Sequence, residues 1–359
     1  MPASGTRIAF DPDGLNTGVT PVPTADQLVT PLESFYTRSH ARVPAVDPAA
    51  WRLQVEGMVD RPLSLTLAAL AREFHTQSVT ATLVCAGLRR AEFESFRPIA
   101  QELPWGAEAI GTGRWSGVPL CEVLARAGVA QGARYVEFVG LDSVERHGRR
   151  FGFGGSIDLD KATSPDVLLA THLNDQPLTP EHGFPVRVVV PGWIGARSVK
   201  WLGRAIVQAS PSENYFQTKA YRVERSVNPR DPRDVSGGVA IAEVPINSMI
   251  LDPRPGQAVA AGPLTVRGWA IGEGAKRLAA IELSTDGGEH WMAASPVVDG
   301  EAWAWTMWEA TVPLQPGRHQ LVVRARDVSG RSQPPELAAT WNVKGYCNNA
   351  WHRVVVIAK

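Results

Sequence analysis

Between Thr80 and Arg90 the sequence T-A-T-L-V-C-A-G-L-R-R ends a β-prone run on Cys85 and passes through Gly87 to two adjacent arginines, Arg89 and Arg90. A thiolate, rather than a thiol, is the nucleophile or metal ligand, and nearby guanidinium groups favour the ionised form. The competing reading of a cysteine that follows a strand is a small buried hydrophobe. Cations recur through this part of the chain as Arg38, His40, Arg89, Arg90, His182, Arg187, Arg197 and Lys200. Gathered by a fold, they would suit a phosphorylated cofactor or an oxyanion substrate.

Two further stretches carry these groups. Ser34 to His40, S-F-Y-T-R-S-H, sets an aromatic pair beside Arg38 and His40 and runs on to Val43-Pro44, which suits a loop that meets an anion or merely solvates an arginine. Glu181 to Gly203 holds a valine run fit for a buried strand, bracketed by His182, Arg187, Arg197 and Lys200, with glycines that admit close backbone approach. Asp142 closes the strand-like Y-V-E-F-V-G-L-D, where it could cap a turn or bind a ligand.

The elements that must position these groups follow from periodicity. Residues 1–34 are rich in Pro, Gly, Thr and Asp and suggest an extended arm laid over the surface. Trp51 to Gly57 alternates as a half-buried strand, and Leu63 to Phe74 has helical spacing after a Ser64 cap. Cys121 to Gly128 reads as an amphipathic helix stopped by glycine, with Cys121 packing, and Pro165 to Asn174 reads as another helix. Ser212 to Gly238, with its N-P-R-D-P-R-D run, reads as an interdomain connection. Beyond it, short alternating segments at Leu264–Ala270, Ala280–Ser284, Trp303–Trp308, His319–Ala325 and Trp351–Ile357, separated by D-G-G and P-G turns, suggest an antiparallel sandwich of immunoglobulin type. The expected division is therefore residues 1–240, carrying the chemistry, and residues 241–359.

Composition narrows the partners. A chain of 359 residues favours two domains, and 36 basic residues balance 36 acidic ones, so neither nucleic acid nor an anionic membrane is the expected partner. Cys85, Cys121 and Cys347 lie far apart without a C-x-x-C pair, which indicates neither a disulfide framework nor a thiolate zinc site. Apolar runs are interrupted before membrane-spanning length and no secretory leader is evident, so the expected location is cytoplasmic, or periplasmic if a leader has been removed. Walker, Rossmann, H-E-x-x-H and G-x-S-x-G patterns do not occur.

Taken together, Y-T-R-S-H, L-V-C-A-G-L-R-R, F-V-G-L-D-S, the long E-H-G-F-P to V-K-W-L-G string, W-A-W-T-M-W and W-N-V-K-G-Y-C-N-N-A-W-H-R-V resemble the sulfite oxidase family of molybdenum enzymes over nearly the whole chain. The resemblance implies an α+β molybdopterin-binding domain followed by an immunoglobulin-like dimerisation domain, hence a homodimer. It implies Cys85 as the protein ligand to molybdenum, since soft sulfur suits that metal. Tyr36, Thr37, Arg38, Ser39, His40, Asp142, His182, Arg187, Ser198, Val199 and Lys200 would hold the pterin and its phosphate, with Arg187, Lys200 and His40 countering the charge. Arg38, Arg90, Trp105, Tyr221 and Lys344 would line the pocket of sulfite or a similar small oxyanion.

The implied reaction is oxygen-atom transfer to sulfite, with electrons passing to a separate acceptor, a cytochrome or dioxygen. No haem is expected, because C-x-x-C-H is absent from this sequence. Alternatives on the same cofactor are sulfane-sulfur dehydrogenation and nitrate reduction; a different class is a non-catalytic cofactor-binding homologue. Two residues depart from the family pattern: Leu88 stands where asparagine usually follows C-A-G, and Lys344 where arginine is usual. Lysine keeps the charge but loses the planar fork.

Overall fold

The computed structural model describes residues 7–9, 15–19, 27–298 and 302–359. These residues are mostly sheet, and the longest α-helices among them are Leu120–Ala127 and Leu67–Glu73. The N-terminal part is built on two sheets. In one, Gly154–Asp158, Tyr135–Gly140, Leu202–Gln208, Leu53–Gly57 and Leu63–Leu65 lie side by side, with a parallel pairing between Leu202–Gln208 and Leu53–Gly57. In the other, Gln176–Pro177, Leu168–Leu173, Ile110–Pro119 and Gln77–Val84 run antiparallel, and Arg187–Val189 also pairs with Leu168–Leu173.

Alternation in the strands builds the core between these sheets. Leu53, Val55, Val136, Phe138 and Val207 face Val118, Leu169 and Val188, and the Leu120–Ala127 helix adds Val123 and Leu124. The second sheet is buried on its other face too, where Ala81, Leu83, Trp115 and Leu168 pack against Phe35 and Tyr36. That double burial explains one departure from expectation. Leu168–Leu173 is a central strand rather than a helix, because Leu168, Leu169 and Ala170 are all fully buried and their continuous apolar run imitates helical spacing. At Leu63 to Phe74 the chain likewise begins as a strand, and the helix starts at Leu67 with Thr66, not Ser64, accepting from the Ala69 N–H at 2.9 Å.

The C-terminal part sets the four-stranded sheet that contains Gly262–Ile271 and Thr306–Leu314 against the five-stranded sheet that contains Gly317–Asp327 and His352–Ala358. Val266, Trp308 and Val312 meet Leu283, Val323 and Val354 between them. Of the N-terminal arm, Asn16–Val19 pairs with Thr37–Arg38, and the rest of that expectation falls partly outside the described residues. Trp303 to Trp305 forms not the expected strand start but a clamp on the sheet edge. The Thr82 N–H donates to Trp303 O, and the Trp305 N–H donates to Thr82 Oγ1, both at 2.9 Å. A continuous apolar cluster, with Val84, Leu88 and Trp105 against Trp269, Trp305 and Tyr346, joins the two parts.

Candidate active site

The Gln77–Val84 strand ends immediately before Cys85, so a sheet edge fixes the thiol. The chain then turns tightly: the Leu88 N–H donates to Cys85 O at 3.0 Å and the Gly87 N–H to Cys85 Sγ at 3.4 Å. Arg89 adopts a left-handed φ of 62°, and the two adjacent arginines reach different destinations. Arg89 is fully buried, donates to both oxygens of Glu92 at 2.6 and 2.8 Å, and reaches Asn247 Oδ1 at 2.7 Å. It braces the C-terminal sheets and does not face the thiol. Arg90 folds back over the loop instead, donating to Lys344 O at 2.9 Å and Leu103 O at 2.8 Å. A Cβ on Gly87 would come 2.7 Å from Arg90 Nη1, so glycine is what permits this close approach.

An inner cavity opens beside Cys85. The 36–40 segment contributes Tyr36, Thr37, Arg38, Ser39 and His40, and the 182–200 segment contributes His182, Arg187, Ser198 and Lys200. Lys200 Nζ donates to Ser39 Oγ at 2.7 Å and to Glu181 O at 2.9 Å; burial, reinforced by the Arg187 charge, pushes its pKa down to about 7. Arg187 donates to the carbonyls of His182 and Ser198 at 3.0 and 2.9 Å, and burial lowers its pKa to about 10. Gly183 has a left-handed φ of 108°, and a Cβ placed there would come 3.0 Å from Arg187 Cβ and 3.1 Å from Lys200 Cβ, so glycine suits the point where the two cations converge.

Asp142 completes the wall. Its Oδ1 accepts the Phe153 N–H at 2.8 Å, while Oδ2 is buried without a partner, and burial raises the carboxyl pKa. An acceptor buried without a donor, close to clustered cations, is the seat an incoming N–H group would fill. The set therefore fits a ligand with an N–H-bearing ring and an anionic tail, as molybdopterin is. Val199 departs from the expected set: its side chain packs in the hydrophobic core, and what faces the cavity are its neighbours Ser198 and Lys200.

An outer cavity meets the first, and both are lined by Arg38, His40, Cys85 and Tyr221. Arg90, Trp105 and Lys344 line the outer one, so the expected substrate residues converge there. Arg146, Lys219 and Arg233 add positive charge, and among the described lining residues Glu102 alone bears a carboxylate. Arg38 is held by Asn16 Oδ1 at 2.5 Å, so the N-terminal arm sets a cavity side chain. Tyr221 has a left-handed φ of 51° and lies within Ser212 to Gly238, which reads as a plain connection; that segment also supplies Phe216, whose ring lies tilted against His40 with centroids 4.4 Å apart.

Burial and the Arg38 charge lower the His40 pKa well below the usual imidazole value, which favours the neutral ring. Arg38 Nη2, which can only donate, lies 3.4 Å from Nδ1, and Nε2 lies 2.8 Å from the Tyr221 hydroxyl. The consistent tautomer carries its proton on Nε2 and donates to Tyr221, leaving the phenolic hydrogen free to donate in turn. Burial also raises the Cys85 thiol despite the opposing Gly87 N–H, Arg90 and Arg38. Nearby arginines therefore do not suffice to ionise it; a coordinated metal ion would.

Arg197 proved structural, donating to Ile241 O and Phe216 O from a buried position. Leu88 is 2% exposed and packs in the cluster joining the two parts, so apolar burial accounts for it. Glu102 and Tyr346 were missed. Tyr346 lies inside W-N-V-K-G-Y, stacked on Tyr221 at 5.5 Å, and was legible there; Glu102 carries no local signal.

Comparison with known proteins bears directly on this arrangement. Residues 40–216 match the oxidoreductase molybdopterin binding domain, and residues 238–359 match the Mo-co oxidoreductase dimerisation domain. The chain is 44% identical over 339 residues to a sulfite oxidase of Gallus gallus, covering 92% of this chain and 73% of that one. The chain belongs to the sulfite oxidase family. The mitochondrial sulfite oxidase of Homo sapiens is 40% identical over 344 residues, and this chain spans 62% of its length. The sulfane dehydrogenase SoxCD of Paracoccus pantotrophus has a similar structure, with a TM-score of 0.81 at 25% identity, over 99% of this chain and 90% of that one. This member of the sulfite oxidase family is thus a molybdopterin-dependent oxidoreductase, with the cavity pair at the end of its Gln77–Val84 strand.

Proposed function

We propose that the protein oxidises sulfite to sulfate, combining sulfite with the oxygen of water and passing two electrons and two protons onward. The observation that carries this reading is the meeting of two cavities at Cys85, one fit for a phosphorylated ring system and the other lined by Arg38, Arg90 and Lys344. Molybdopterin, when bound, supplies the metal and the two-electron couple that the reaction needs. The protein's own residues do the rest. Cys85 Sγ is the metal ligand, and Arg187 and Lys200 counter the phosphate. Asp142 Oδ2 accepts from pterin N–H groups, and Ser39 holds the Lys200 ammonium in place.

In the outer cavity Arg38 and Arg90 orient the oxyanion against Trp105, where their charges offset the cost of removing it from water. His40 holds the Tyr221 hydroxyl at 2.8 Å, so that its hydrogen would be free to donate to a ligand in the space shared by the two cavities. The C-terminal sheets, read as an immunoglobulin-like sandwich, form the face of a homodimer, and the electrons pass to a separate cytochrome or to dioxygen. Metal and pterin analysis of the purified protein, with sulfite-dependent reduction of an artificial acceptor, tests the reading. Protein that carries molybdenum, ignores sulfite and oxidises a sulfane-sulfur compound would replace it with the reaction named for the SoxCD structure.

A further inference from the structure

The outer cavity contains a carboxylate where an oxyanion pocket would be expected to exclude one. Glu102 Oε1 accepts from Lys344 Nζ at 2.8 Å, while its oxygens lie 3.8 Å from Arg233 and 3.9 Å from Arg90. The side chains of Glu102 and Lys344 are 16% and 10% exposed, so water screens the pair poorly. Lys344 is thereby spoken for: an oxyanion can use its charge only by sharing it with Glu102 or by drawing it away.

We propose that Glu102 is a specificity-determining residue that occupies Lys344 as a resident anion and weakens the cavity's hold on divalent oxyanions. The carboxylate keeps the buried cations paired when the cavity holds no substrate. Once a dianion enters, the same carboxylate repels it, and repels it about twice as strongly as a monoanion, because the interaction scales with the product of the charges. The effect falls on product as well as substrate, so a divalent product such as sulfate leaves more readily. This inference rests on reading the outer cavity as the oxyanion's seat.

The test is calorimetric titration of the molybdenum-loaded protein with sulfate and with nitrate at fixed low ionic strength, which requires no turnover. Glu102→Gln is expected to tighten sulfate binding about tenfold, about 1.4 kcal/mol, and nitrate binding by less. Glu102→Asp, which keeps the charge, is expected to stay close to the parent. Lys344→Gln should weaken sulfate binding more in the Glu102→Gln background than alone, because only there is the lysine free. Equal or weaker sulfate binding by Glu102→Gln would show that the carboxylate merely organises the cations, and would overturn the proposal. Absence of sulfate binding in every form would overturn it as well. Neither result bears on whether sulfite is oxidised, which the acceptor assay decides separately.

Discussion

The Tyr221 hydroxyl lies 2.8 Å from Nε2 of the half-buried His40, at the boundary that the two cavities share. The ring donates and the phenol passes the polarity on, so Tyr221 contributes a directed hydrogen and not a charge. Burial raises the phenol's pKa to about 12, so it remains protonated at neutral pH. Tyr221→Phe removes that hydrogen alone. The expected result is a fall in kcat for sulfite of roughly tenfold to a hundredfold, the size of one hydrogen bond to a charged group. Steady-state kinetics at saturating sulfite would show it; an unchanged kcat would remove Tyr221 from the reaction.

Cys85→Ser replaces the soft donor with a hard one at the end of the same strand. Turnover is expected to vanish and the molybdenum-to-protein ratio to drop, while the fold survives, because serine fits the volume. Elemental analysis beside circular dichroism separates these outcomes. Normal sulfite oxidation by the variant would refute the ligand assignment.

Which of these features the sequence disclosed follows from how local each one is. Cys85, Arg38 and Arg187 sit in short strings whose chemistry is legible at a glance. The difference between Arg89 and Arg90 is not: a single left-handed residue decides that one faces the cavity and the other braces the sheets, and side-chain type carries no trace of it. Arg197 looked like a pocket cation because charge is visible in a sequence and the backbone carbonyls that absorb it are not. Leu168–Leu173 reads as a helix in the sequence because burial on both faces erases the alternation that marks a strand. Glu102 meets Lys344 across 242 residues, a distance at which no motif operates.

Lys200 provides a pH signature. Its folded pKa of about 7 lies below the ordinary lysine value of 10.5, so between these limits the unfolded chain binds the extra proton. Unfolding free energy of the cofactor-free protein should therefore rise with pH from about 7 to 10, as the cost of a buried charge is relieved. Thermal melting at pH 7 and pH 9 checks the sign, and Lys200→Met should flatten the dependence. Cofactor should flatten it as well, since a phosphate beside the ammonium restores its proton.

Lys344→Arg is expected to lower the KM for sulfite, because a planar fork can serve Glu102 and an oxyanion together where an ammonium must divide itself. A KM that is unchanged or raised would count against Lys344 as a substrate contact.

Arg89→Met should destabilise the protein by about 3 kcal/mol, the cost of leaving buried polar partners without their cation. Glu92 and Asn247 are the groups left behind. Denaturant unfolding measures the loss, and the remaining folded protein should bind sulfite with little change, since Arg89 does not line either cavity.

The loop bearing Cys85 is fastened to late parts of the chain: the Cys347 N–H donates to Ala86 O at 2.7 Å, and Asn348 Nδ2 donates to Arg89 O at 3.0 Å. In biosynthesis, where domains fold in the order they emerge, the loop that carries Cys85 waits for the making of about 260 residues before these contacts can form. On that order of folding, the seat for the cofactor is expected to be complete only after residues 347–348 have been made.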